Sequence, residues 1–175
     1  LTPIAHSMVG LGGWLAGSRQ ACAGEMAAFV LAANLPDADF LLRLIPAVHR
    51  AMPHQYATHN LLFALLSSLV FFKLVRGIRA RSALVAVALS HPVLDLLVSD
   101  RVQPIGFPIL WPFSRLLFHV GGFPSLQRGD WAALVSWENL GVVLLEVLVF
   151  ALPLGLLAGK KAWRLANEPD FWRWT

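Results

Sequence analysis

Apolar runs separated by short polar joins divide the chain into five predicted helices. Residues 3–17 (PIAHSMVGLGGWLAG) are apolar and Gly-rich, and residues 21–35 (ACAGEMAAFVLAANL) are apolar and Ala-rich. Each falls short of the ~20 residues that cross a bilayer comfortably. Their small residues suit a closely packed pair, and Pro36 ends the second helix. After a mixed polar stretch over 37–57, Thr58 is placed as the N-cap of a third helix over 59–76, the first run with the character of a span. A basic connector carries Lys73, Arg76, Arg79 and Arg81. The fourth helix, over 82–98, holds His91, Pro92 and Asp95 within an otherwise apolar run. Residues 99–130 are rich in Pro, Gly and aromatics. There Phe107, Trp111, Phe113 and Phe118 suit an interfacial segment, where rings sit at headgroup level. A last span over 138–158 leads to a basic tail with Lys160, Lys161 and Arg164. The expected fold is all-α: a polytopic membrane helical bundle of about five helices, the first two short, forming a single domain over 1–175, with no internal repeat.

Composition strengthens the membrane reading. The chain is 57% hydrophobic and only 14% charged, against roughly 45–50% and about 25% in soluble domains. A net charge of +4 could speak for nucleic acid in a soluble protein. Here the bases cluster at the ends of apolar runs, so they read as orientation signals, and membrane lipids rather than nucleic acid are the expected partners. They place the 73–81 connector, Arg19 and the 160–164 tail in the cytoplasm. Threading the helices alternately then puts the N-terminus, 36–58 and 99–136 on the opposite side. The lone Cys22 excludes an internal disulfide framework. No cleavable signal peptide is expected.

On this map the titratable residues converge. His6 begins the first helix, Asp37 and Asp39 follow the second, and His54 and His59 precede and open the third. His91 and Asp95, four apart, share a face of the fourth. All seven fall on the non-cytoplasmic side. Ionisable groups within membrane segments cost roughly 2.5–3.5 kcal/mol each and mark function by default. Imidazole and carboxylate together are a first-row metal ligand set, and seven such groups suit one or two divalent ions, most simply zinc. Taken singly, each has a plainer reading: a turn at Asp37–Asp39, a helix-end His59, or a His91 bonded to a carbonyl freed by Pro92. Those readings leave the shared location unexplained. His49 reads as a surface residue, His119 lacks a partner at helical spacing, and the partner of Glu146 is open. Arg43, Arg50, Arg101 and Arg115 suit a phosphate or lipid headgroups.

The ordered motifs TPIAHS, LPDAD, H-x-x-x-T-H, SHPVLDLL and GFPILWPFSR, from about residue 2 to residue 115, resemble the YdjM-like family of bacterial inner-membrane metal-dependent hydrolases. The resemblance implies a metal site of His6, Asp37, Asp39, His54, His59, His91 and Asp95. Three stretches depart from the family pattern. Gln55 and Tyr56 stand where Arg-Gly is usual, Asn60 stands where Ser is common, and Ser99-Asp100-Arg101 replaces a Thr-containing run. The ligand set is kept while an anion-binding Arg is lost.

Two function classes follow. In the first, the chain is a membrane-bound hydrolase acting on a phosphoester or lipid-like substrate at the outer interface, with Asp39 or Asp95 as general base. In the second, it is a non-catalytic subunit of a larger membrane complex, and the His/Asp cluster staples its helices. The Trp-rich end, with Trp163, Trp172 and Trp174, suits the second.

Overall fold

The computed structural model describes residues 1–19, 22–39, 55, 57–99, 105–127 and 135–167. Among them are five α-helices and no strand: α1 (Pro3–Gly17), α2 (Ala23–Asn34), α3 (Leu61–Val70), α4 (Ile78–Asp95) and α5 (Trp137–Asn167). A 3-10 turn, Leu35–Ala38, follows α2.

Each helix end has a local cause. Thr2 caps α1, its hydroxyl accepting from the Ala5 amide at 3.4 Å, and Pro3 occupies the first turn, where an N–H would go unused. Thr58 does not cap α3. That position belongs to Asn60, whose Oδ1 accepts from the Phe63 amide at 2.8 Å while its Nδ2 donates to the Ala57 carbonyl at 2.7 Å. Asn60 can hold both sides of the cap at once, and Thr58 is left to face His59. The third helix is also shorter than its apolar run. Beyond Val70 the chain tightens into i→i−3 turns, which deliver Val75 into the core and the Arg76 amide onto Glu25 at 3.1 Å. Packing there overrides the continued apolar pattern. The fourth helix starts at Ile78, so Arg79 and Arg81 lie in its first turns rather than in a connector. It ends at Asp95 rather than at residue 98. The fifth runs to Asn167, so Lys160, Lys161 and Arg164 are helical rather than a tail.

Five contacts set the directions. Thr2 meets Glu146 and Ser18 meets Lys161, so α1 and α5 run side by side the same way. Glu25 at the start of α2 meets Arg76 just beyond α3. His91 near the end of α4 meets both Ala33 near the end of α2 and His59 just before α3. Helices α2 and α4 therefore run against α1, α3 and α5. Between the two ends lies an apolar core of Ala28, Phe29, Ala32, Ala33, Val75, Ala80, Leu84, Val87 and Ala88.

Helix α1 enters this core on a stripe of glycines. A Cβ at Gly10 would meet the Phe29 carbonyl oxygen at 2.8 Å, and one at Gly13 would meet Val87 Cγ2 at 2.2 Å. Backbone contact of this closeness is the reason for small residues. Helix α5 lies outside the core and is mostly exposed, with Asn139, Glu146 and Lys161 buried against the rest. It is, among the described residues, the one helix long and apolar enough to cross a membrane. The ten residues of α3 extend only about 15 Å, well short of the span expected for 59–76.

Two buried carboxylates bind the elements. Glu146 in α5 accepts from the Thr2 amide at 3.1 Å and from the Thr2 hydroxyl. This places a negative group at the positive end of α1 and answers what Glu146 pairs with. At the other end Glu25 accepts from the Ser18 hydroxyl, and Lys161 Nζ donates to the Ser18 carbonyl at 3.2 Å while lying 3.8 Å from the Trp14 ring centroid.

The glycine stripe makes a direct prediction. Gly13→Val should destabilise the fold by about 1–3 kcal/mol, the usual cost of overpacking, because the stiff Val87 side chain has little room to yield. Gly155→Ala, inside α5 and with nothing within 4 Å of the added methyl, should not destabilise the fold and should gain up to about 1 kcal/mol of helix propensity. Chemical unfolding in mixed micelles measures both.

Candidate metal centre

The end of the bundle where α1 and α3 begin and α2 and α4 finish carries the donors. His59 is held just before α3. His91 and Asp95 lie one turn apart near the end of α4, and Asp37 sits on the 3-10 turn that Pro36 forces after α2. Asp37, His59, His91 and Asp95 each aim one donor atom at a common point, and the four atoms lie within 4.8 Å of one another.

The separations are specific. His59 Nε2 lies 3.2 Å from Asp37 Oδ1, 3.2 Å from His91 Nε2 and 3.4 Å from Asp95 Oδ2. His91 Nε2 lies 3.4 Å from Asp95 Oδ2 and 3.7 Å from Asp37 Oδ1. Tetrahedral coordination with bonds of about 2.0–2.1 Å puts its donors about 3.3 Å apart. The residues therefore fit a divalent ion, whose charge the two carboxylates would neutralise.

The outer ring nitrogens are arranged for the same purpose. His91 Nδ1 lies 2.7 Å from the Ala33 carbonyl. A carbonyl can only accept, so Nδ1 carries the proton and Nε2 points inward. His59 Nδ1 meets the Thr58 hydroxyl at 3.1 Å, which likewise leaves Nε2 toward the group. Such partners fix tautomer and ring orientation in metal-binding histidines. Phe107 closes over His59, ring centroids 5.8 Å apart.

His6 stands beside the group rather than in it. Its ring stacks on His91 at 3.8 Å between centroids, and its Nε2 meets Asp95 Oδ1 at 3.1 Å, on the oxygen opposite the donor oxygen Oδ2. Asp39 is also outside the four-donor group. Its Oδ2 accepts from the Gln55 amide at 3.2 Å, with Gln55 in the left-handed region at φ 72°. That contact uses main chain, so it does not need the Arg side chain that Gln55 replaces. His54, His49, Arg43, Arg50, Arg101, Trp172 and Trp174 lie outside the described residues. His119 and Arg115 are exposed. Two partners were not expected from the sequence. One, the Ala33 carbonyl, is main chain and leaves no side-chain signal. The other, Thr58, was assigned to a helix cap.

His59 and His91 are fully buried, whereas the Asp37 side chain keeps 14% exposure. Approach to the group is therefore from the Asp37 side.

A family model described as YdjM inner membrane protein matches residues 1–164. The chain belongs to that family. The match extends beyond the ordered motifs to cover most of α5 as well, so the inner-membrane assignment includes the long apolar helix. No curated protein and no solved structure matches the chain.

Loss of the outer partner should be felt at the ion. Thr58→Val should weaken divalent-metal affinity by about tenfold, the scale on which such supporting contacts act. His119→Ala should leave the affinity unchanged. Competition against a chelating dye in detergent reads both.

Proposed function

We propose that this YdjM-family chain is a membrane-bound metal-dependent hydrolase, holding zinc and acting on a phosphoester or lipid-like substrate at the outer face of the inner membrane. The carrying observation is the set of donor atoms from Asp37, His59, His91 and Asp95, all within 4.8 Å of one another. Zinc is favoured over magnesium or calcium by the two imidazoles among the four donors. A bound divalent ion supplies a Lewis acid that polarises the scissile bond and lowers the pKa of water.

The chain's own residues supply the rest. Asp95 offers Oδ2 to the group while His6 holds Oδ1, which sets the carboxylate's angle. Asp37 lies on the open side, where substrate enters. We assign Asp39, two residues further along the chain, as the general base that would take a proton from attacking water. The polytopic arrangement is part of this proposal. The four shorter helices form a bundle beside α5, with the donors toward the periplasm. Lys73, Arg76, Arg79, Arg81, Lys160, Lys161 and Arg164 gather at the opposite end and favour the cytoplasm for it and for the C-terminus.

Full burial of His59 and His91 favours a second reading, in which the cluster staples the helices of a non-catalytic subunit of a larger complex. Elemental analysis of purified protein beside a His59→Ala/His91→Ala double variant separates them, together with a screen of lipid phosphoesters. The hydrolase reading expects one or two equivalents of zinc and turnover, both lost in the variant. Turnover that survives without the metal overturns it. Retained metal with no turnover and a stoichiometric co-purifying partner selects the second reading.

A further inference from the structure

Residues 105–127 carry two opposite faces. The inner face closes the metal centre: Phe107, Pro108 and Ile109 are buried, Phe107 meets the His59 ring, and the Ile109 carbonyl accepts from the Leu61 amide at 3.0 Å. The outer face is apolar and exposed, with Phe113 at 86%, Leu116 at 70% and Val120 at 67%. The segment has no regular secondary structure, only the isolated bridges Phe107–Phe118 and Val98–Phe123. Irregular backbone open to lipid does not occur within the hydrocarbon region, and a large exposed apolar face is costly in water. The headgroup layer satisfies both constraints, and exposed Arg115 offers it a cation.

The segment is also continuous with the lipid-facing helix. Asn139, in the first turn of α5, accepts from the Gln127 amide at 2.6 Å and donates to its carbonyl at 3.0 Å. Exposed Trp137 opens that helix, a residue at home at the interface. Helix α5 then serves as a ruler. From Trp137 to Glu146, nine residues, the axis advances roughly 13 Å, and Glu146 holds the first residues of α1, one turn before His6. The donor layer thus lies below the level of Trp137. From Glu146 to Lys161 the axis advances a further ~22 Å, less than the hydrocarbon thickness of about 30 Å. The two polar layers of the bundle are too close together for both to reach headgroups.

We infer that residues 105–120 seat in the headgroup layer of the bilayer and that the donor layer is sunk beneath it, so that substrate arrives from within the membrane. The seat stands on the exposed face and the Asn139 link. The lateral route rests on the hydrolase reading, and its substrate class is a lipid with a phosphoester at the glycerol level.

The test uses full-length protein in nanodiscs of phosphatidylethanolamine and phosphatidylglycerol. In a Cys22→Ser background, single Phe113→Cys, Leu116→Cys and Leu148→Cys variants carry nitroxide labels. Collision with oxygen and with a water-soluble nickel chelate reports depth. Labels at 113 and 116 are expected to fall between aqueous label and the deep Leu148 position, with chelate access several-fold below that of free label. Solution-like access at both overturns the seat, whatever the activity. In a Phe113→Asp/Leu116→Asp variant, metal content should be unchanged. Turnover of a lipid phosphoester should fall several-fold, while turnover of a soluble nitrophenyl phosphoester holds. Equal loss on both substrates overturns the lateral route. Absence of turnover in the unsubstituted chain, with labels at the interface, counts against the hydrolase reading and leaves the seat standing.

Discussion

The carboxylate of Asp95 is the contact on which the site end of the bundle depends. One oxygen meets the imidazoles of His59 and His91, and the other meets His6. A single side chain thereby holds the start of α1, the entry to α3 and the end of α4 in one register. It does so from a buried position. A carboxylate taken out of water costs several kcal/mol unless it is paired and hydrogen-bonded. Three surrounding imidazoles meet that demand, and an ion bound among them meets it more fully. The structure of this end and its capacity for metal are therefore one property.

The opposite end uses the same solution with different groups. Glu25 is buried against the Ser18 hydroxyl and the Arg76 amide, and Lys161 reaches in from α5 to the Ser18 carbonyl. Between the two polar ends the core is small: alanines, one phenylalanine and a few branched residues. Helices this short and this poor in large side chains gain little from packing alone. Close approach along Gly10 and Gly13, with polar ties at both ends, compensates by bringing backbones into contact.

Much of this was legible in the chain. The alternation of five runs placed His6, Asp37, His59, His91 and Asp95 at one end before any coordinates, because successive helices of a bundle reverse direction. The four-residue spacing of His91 and Asp95 put both on one face. The divisions within runs were less legible. Phe71 and Phe72 continue the apolar pattern of α3, yet they turn out of the helix to reach the core, a choice made by tertiary contacts. Lys160, Lys161 and Arg164 read as a tail by charge, but they are good helix formers, and α5 continues through them, with Lys161 turned inward to Ser18. Thr58 and Asn60 are both competent caps, and only the second contact of Asn60, to the Ala57 carbonyl, decides between them. The hold of Ala33 on His91 is carried by main chain and has no signature in residue type. The separation of His6 and Asp39 from the four inner donors is a matter of ångströms that spacing along the chain does not resolve.

The order of the donors along the polypeptide has a consequence for biosynthesis. A chain emerging from the ribosome presents Asp37 and His59 first, and neither can enclose an ion by itself. The set closes only when His91 and Asp95, at the end of α4, have emerged and turned back. Helix α5 contributes no donor to it. A nascent chain stalled after α4 would already carry every donor of the four-residue set. An ion held by that set would therefore report that the second, third and fourth helices have found one another.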